Sequence, residues 1–238
     1  METRAVQVVA CTRPDTGGDM RSHNVDNKVF IIDEFLPERD FNVVAAFASN
    51  LTLPYTQRTA GWSPEIILDS KRVKMGRAFL ENKPAPLAIF ERAVRELRKV
   101  PWPEGRNLAL SVYEWHRGSY IPMHDDHKVH FAVTFYMNAT WNPNWGGDLL
   151  VMTRSTDVDQ GVWISPRKNR LVITMAGVRH RTTMLSPSAD KRLTLQGFVY
   201  TGEAQRQKVH FSKLSDWLEK RYVAQAEAKA LELTRESS

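Results

Sequence analysis

The sequence predicts a mainly β protein, a double-sheet jelly roll backed by N-terminal helices. Three observations predict it. Short segments of strand character follow one another from residue 107 to 200, with turn residues between them. Two segments with apolar residues at helical spacing precede them. Within the strand segments the alternating faces differ in kind, one aliphatic and the other polar and aromatic, as in a barrel packed outside and lined within.

The elements follow in order. Residues 1–26 are polar and rich in Gly, Asp and Arg, which reads as a flexible arm. "KVFIID" (28–33) reads as a strand. "LPERDFNVVAAFASN" (36–50) reads as a helix with Pro37 just inside its start. Residues 51–82, with Trp62 and several charges, show no clean period and read as a lid or long insertion. "PAPLAIFERAVRELRKV" (84–100) places Leu87, Phe90, Val94 and Leu97 on one helical stripe, and "PWPEG" then breaks the chain. The strand segments are 107–115, 119–126, 129–139, 147–152, 161–164, 170–175, 178–184 and 191–200, the jelly-roll core of a single domain spanning 27–211. The tail 212–238, "LSDWLEKRYVAQAEAKALELTRESS" included, reads as a helix with Ser215 as N-cap and as a candidate oligomer contact; the oligomeric state itself stays open.

Composition narrows the class. At 42% hydrophobic residues, a chain of 238 affords a sizeable core. No apolar run approaches the ~20 residues of a membrane helix, and the first twenty residues lack a signal peptide's apolar stretch. Cys11 is the only cysteine, which excludes an intrachain disulfide and multi-cysteine zinc sites and suits a reducing cytoplasm. The net charge of +6 is scattered rather than gathered in a basic block, which argues against a nucleic-acid arm.

Face parity locates the chemistry. In "HFAVTFYMN" (130–138) one face carries His130, Ala132, Thr134, Tyr136 and Asn138, the other Phe131, Val133, Phe135 and Met137. "NLALSVYEW" sets Tyr113 and Trp115 against Leu108, Leu110 and Val112, and "RLTLQGFVY" sets Arg192, Thr194, Gln196 and Phe198 against Leu193, Leu195 and Val199. The polar faces hold few of the Lys and Glu of a solvated sheet, so they are expected to line the barrel and the apolar faces to pack under the helices. In "HDD", His124 and Asp126 share one face of an extended segment and Asp125 takes the other. A third ligand must come from elsewhere, and His180 in "AGVRHRTTM" sits on another strand. Two imidazoles and a carboxylate on one triangular face are the arrangement of non-haem Fe(II) oxygenases. An isolated H-x-D is weak, however, and His116, His127 and His130 are as readily surface or core residues. His127 is a rival ligand that faces away from His124 in a straight strand.

"H124-D-D126 … H180 … R192", with "YMNATWNPNWGGDLLV" and "SPRKNRLVIT" between, resembles the Fe(II)/2-oxoglutarate-dependent dioxygenases, most closely their prolyl-hydroxylase-like branch. The resemblance runs from about Leu108 to Tyr200. It implies that His124, Asp126 and His180 hold Fe(II), and that Arg192 pairs with the far carboxylate of 2-oxoglutarate through its planar fork. Face parity adds Thr194 and Gln196 beside it. Tyr136 matches a tyrosine that reaches the cosubstrate carboxylate, and Tyr113 matches another pocket tyrosine, offset by about one residue. Gly146 and Gly147 fit a tight turn. The implied reaction couples oxidative decarboxylation of 2-oxoglutarate by O2, with ascorbate as a supporting reductant, to hydroxylation of a C–H bond, releasing succinate and CO2.

Three other readings compete. Nucleic-acid oxidative demethylases carry a second arginine six residues after the first, where this chain has Phe198. Halogenases replace the carboxylate with Gly or Ala, where this chain has Asp126. A non-catalytic jelly-roll binding module has no reason to keep both the triad and Arg192. The expected substrate is a small molecule or peptide: a free amino acid, a peptide side chain or a natural-product intermediate. The region 51–82, the loop Trp141–Trp145, and Arg179 and Arg181 are expected to frame the pocket mouth.

Overall fold

The computed structural model describes residues 7–12, 19–51, 66, 71–74, 84–152, 161–201, 224–225 and 227–232. Twelve strands are described: β1 (Gln7–Thr12), β2 (Asp19–Val25), β3 (Val29–Ile32), β4 (Lys71–Lys74), β5 (Ala109–Trp115), β6 (Ile121–His124), β7 (Val129–Tyr136), β8 (Leu149–Met152), β9 (Gly161–Ile164), β10 (Arg170–Met175), β11 (His180–Thr182) and β12 (Arg192–Tyr200). They form two antiparallel sheets. The major sheet runs β1-β2-β3-β10-β7-β12-β5-β4 and the minor sheet β6-β11-β8-β9. Each strand segment expected between 107 and 200 is present, 161–164 and 170–175 at the expected bounds and the others trimmed by one to three residues at an end.

Helices α1 (Glu38–Ser49) and α2 (Ala85–Arg95) pack on the major sheet. Phe35, Phe41, Phe47 and Phe90 meet Phe131, Val133 and Phe135 of β7 and Leu193 and Leu195 of β12 in one buried cluster. Phe135 lies 5.1 Å from Phe90 and 5.9 Å from Phe35, ring centre to ring centre, the spacing of favourable aromatic pairs. The expected apolar faces are therefore the ones under the helices. Pro37 and Pro84 stand as N-caps rather than inside their helices. Glu38 and Asp40 set negative charge in the first turn of α1. No acid occupies the first turn of α2, and Glu227 reaches it instead, its Oε1 accepting from Ala85 N at 2.6 Å. Residues 224–225 and 227–232 of the expected tail helix are helical, and Ala230 is buried in the helix-backed core; the rest of 212–238 lies outside the described residues.

Helix α2 ends five residues before the expected boundary. Leu97 and Val100 remain buried but lie in turns, with Leu97 N donating to Val94 O and Val100 N to Leu97 O. The chain is turned there toward Trp102, whose ring lies under the Arg95 guanidinium at 4.0 Å. The segment 1–26, expected as a flexible arm, carries β1 and β2, paired from Gln7↔Asn24 to Thr12↔Asp19, with β2 joined to β3. Edge strands pair through backbone groups, so a Gly-, Asp- and Arg-rich composition hides them. Of the expected lid, 51–82, residues 71–74 form β4 against β5. Apart from Leu51 and Ile66, the remainder lies outside the described residues.

Two polar clasps fix the entry to the barrel. Asn169, at φ 59°, accepts from Leu36 N at 2.9 Å and donates to Leu36 O at 2.7 Å. Next to it, Arg170 grips Asp33 through Nε at 2.5 Å and Nη2 at 2.8 Å, a nearly buried bidentate pair. Burial pushes the Asp33 carboxyl up, but hydrogen bonding and charge from Arg170 outweigh it and hold the group below the usual aspartate value.

Candidate active site

The minor sheet brings the three expected metal ligands together. His180 of β11 stands directly opposite His124 of β6 in the antiparallel register, on the same face. Their ring centres are 4.2 Å apart. The register between these strands shifts before Thr182↔Ile121, so β6 carries an extra residue there. Pro122, which has no N–H to give the ladder, lies within that irregularity. Asp126, two residues past the end of β6, places Oδ2 3.6 Å from His180 Nε2. One donor atom from each of His124, Asp126 and His180 lies within 4.8 Å of the other two.

Hydrogen bonding sets which nitrogen each histidine offers. His124 Nδ1 lies 2.8 Å from Pro122 O, and His180 Nδ1 lies 2.8 Å from Val178 O. A carbonyl oxygen only accepts, so each Nδ1 carries the proton and donates. Each Nε2 is left with a lone pair, the state that binds a metal. Burial first, then the neighbouring His124, holds the His180 imidazole below the ordinary histidine value, which keeps it neutral; Asp126 and the Val178 carbonyl oppose this. Asp125 turns the other way and pairs with exposed His127 at 2.8 Å. His127, the rival ligand, thus stands outside the cluster, as does His116, whose Nε2 meets Glu114 at 2.8 Å. The donor set of two imidazoles and one carboxylate fits a divalent first-row metal.

The major sheet supplies the opposing wall. Tyr136 of β7 is buried in one cluster with Leu149 and Val151 of β8, and Val151 is the register partner of His180. Burial pushes the Tyr136 hydroxyl above its usual value, against Arg192 and Arg170, so it is held protonated. Thr194 pairs with Tyr136 on one side and Tyr113 on the other, and its Oγ1 accepts from Trp115 Nε1 at 3.2 Å. Tyr113 stacks on Trp115 at 5.1 Å with rings 2° from parallel. Gln196, half-buried, continues this face beside Thr134 and Ser111.

Arg192 starts β12 and is only 2% exposed. Its Nη1 donates to Gly147 O, its guanidinium lies 5.4 Å from the centre of the Trp115 ring, and its Nε is buried with no partner. Burial lowers its basicity, while Tyr136 and Asp148 favour the charged form. A buried cation with an unspent N–H is costly unless an anion completes it. The distal carboxylate of a dicarboxylic acid fits that requirement.

The pocket-mouth residues divide. Trp141 and Trp145 pack edge to face at 5.2 Å beside Tyr113, Trp115, Ile121 and Leu185. Arg179 precedes β11 and Arg181 lies within it, on either side of buried His180, and both are exposed. Gly146 and Gly147 form the expected turn, at φ 67° and 72°. Sequence reasoning placed Trp115 on the inner face without a task. It gave no sign that the Gly147 carbonyl meets Arg192, because nothing in a glycine's identity records its hydrogen-bond partner.

Residues 108–200, under half the chain, match the family model described as the 2OG-Fe(II) oxygenase superfamily. No curated protein sequence matches the chain. Solved structures do. A prolyl hydroxylase from Trichoplax adhaerens, in complex with a hypoxia inducible factor oxygen degradation domain peptide fragment, is 18% identical with TM-score 0.59, covering 74% of this chain and 84% of its own. A Pseudomonas putida prolyl-4-hydroxylase is 18% identical with TM-score 0.53, covering 74% and 93%. A prolyl 4-hydroxylase from Phytophthora capsici is 16% identical with TM-score 0.51, covering 83% and 70%. At these identities the likeness is one of fold. Among the described residues no helix is long and apolar enough to cross a membrane.

Proposed function

We propose that this chain, whose residues 108–200 match the model of the 2OG-Fe(II) oxygenase superfamily, hydroxylates an unactivated C–H bond of a peptide, amino acid or natural-product intermediate, with release of succinate and CO2. One observation carries the reading. A compact His124–Asp126–His180 donor set lies on one sheet, and a buried guanidinium with an unspent N–H lies on the facing one.

His124, Asp126 and His180 would hold Fe(II), which would supply the activation of O2, with 2-oxoglutarate as the two-electron reductant that leaves as succinate and CO2. The chain's own groups bind and orient. The backbone carbonyls of Pro122 and Val178 fix both imidazoles so that Nε2 faces the metal position. Arg192 donates from Nε to the distal carboxylate of the cosubstrate. Tyr136, protonated, offers its hydroxyl to the same carboxylate. Trp115 and Thr194 occupy each other and stiffen the wall, while Val151, Leu149 and Ile164 keep water from it. Tyr113 and Gln196 extend the cosubstrate wall, and Trp141 and Trp145 form the rim.

A peptide leads the substrate candidates, since the Trichoplax adhaerens relative is solved with a peptide fragment. The test is a succinate-release screen with Fe(II), 2-oxoglutarate and O2, peptides first, then free amino acids and natural-product intermediates. A hit raises succinate in step with an added oxygen atom on the substrate. Succinate formation that persists undiminished in His180→Ala would overturn the reading.

A further inference from the structure

We propose that Gly147 is a positioning residue for the cosubstrate: its carbonyl pins one end of the Arg192 guanidinium, so that the Nε edge faces the distal carboxylate. This deepens, and rests on, the reading of Arg192 as the carboxylate anchor. The bond spans the barrel. Gly147 leads into β8 of the minor sheet, while Arg192 begins β12 of the major one. Arg192 has three surroundings of known kind: Nη1 is spent on Gly147 O, Cζ lies 5.4 Å from the centre of the Trp115 ring, and Nε has no partner. Among the described residues no carboxylate pairs with it. The pinned end therefore decides which N–H remains to bind an anion.

Only glycine lets this happen. Gly147 sits at φ 72°, a left-handed backbone that side chains rarely adopt. A Cβ there would also stand 3.2 Å from Arg192 Nη1, 3.4 Å from Arg192 Cδ and 2.8 Å from Leu185 Cδ2. A methyl group would require the guanidinium to give by a few tenths of an ångström, enough to disturb its alignment with the carbonyl. The glycine before it does a different job, since a Cβ on Gly146 would meet Met184 O at 2.3 Å. Gly146 lets backbone press on backbone, and Gly147 leaves room for the anchor.

The experiment is calorimetric binding to Mn(II)-loaded protein without O2. One ligand is 2-oxoglutarate; the other is 2-oxobutyrate, which has the same 2-oxo acid end and no distal carboxylate. Gly147→Ala should weaken 2-oxoglutarate roughly 10- to 100-fold, as misplaced supporting groups do, and leave 2-oxobutyrate unchanged. In turnover the KM for 2-oxoglutarate should rise more than kcat falls. Gly105→Ala, also at positive φ (66°) but with nothing within 4 Å, reproduces the backbone strain alone and should change neither affinity. If Gly147→Ala does not fold, the Gly147→Ala/Leu185→Ala double variant removes the Leu185 clash, keeps the methyl against Arg192, and should show the same selective loss. Equal loss of both acids, or wild-type binding of both, overturns the positioning role. Arg192→Ala separates the two ideas: if it binds 2-oxoglutarate like wild type, the anchor reading itself fails.

Discussion

Asp125 and Asp126 are adjacent, chemically identical and placed by the fold on opposite faces, so the pair tests the metal site at one-residue precision. Asp126→Ala removes the only anionic donor of the three. Both imidazoles donate from Nδ1 to a backbone carbonyl, and neither side chain can supply a negative charge in place of the carboxylate. Removing one partner of a buried charge pair costs ~3–5 kcal/mol. The Asp126 side chain is 25% exposed, which favours the low end: about 3 kcal/mol, or roughly 150-fold in metal affinity. Asp125 instead belongs to an exposed pair with His127, whose weight is small, so Asp125→Ala should change affinity less than about threefold. The assay is anaerobic Fe(II) titration of both variants beside the wild type, with succinate formation measured on the same samples. A loss for Asp125→Ala equal to or larger than that for Asp126→Ala would refute the ligand assignment.

The remaining predictions concern metal, cosubstrate and pH. Chelator-treated protein should regain succinate formation with Fe(II), and should bind Zn(II) or Ni(II) without turnover; full activity with Zn(II) alone contradicts the oxygenase reading. Arg192→Ala leaves the far carboxylate of 2-oxoglutarate without its partner, worth ~3–5 kcal/mol, so binding should fall a few hundredfold or more by calorimetry. Asp33 has a folded value below its unfolded one, near 3.9. Its contribution to stability is therefore complete above about pH 4 and lost as pH falls through the folded value. Asp33→Asn should lower urea stability at pH 7 and flatten the acid limb of the stability–pH curve; an unchanged acid limb counts against the clasp with Arg170.

The sequence by itself indicated the strand segments between 107 and 200 and their two faces, and it pointed to His124, Asp126 and His180. Alternation in 130–138 is a local property of an extended chain, so Phe131, Val133 and Phe135 under the helices and Tyr136 facing the minor sheet were legible without any long-range information. The same parity set Asp126 with His124 and apart from Asp125, and in the structure Asp126 joins the histidine cluster while Asp125 pairs with His127. Tertiary structure alone decided the pairings that join distant residues through groups with little sequence signature. Strands β1, β2 and β4 attach by backbone hydrogen bonds, which any composition can make. Asp33 and Arg170 are 137 residues apart, and neither announces the other. Arg192 could be recognised as a buried cation in need of an anion, but its seat on the Gly147 carbonyl, 45 residues away, exists only because two sheets close on each other and leave no room for a side chain between them.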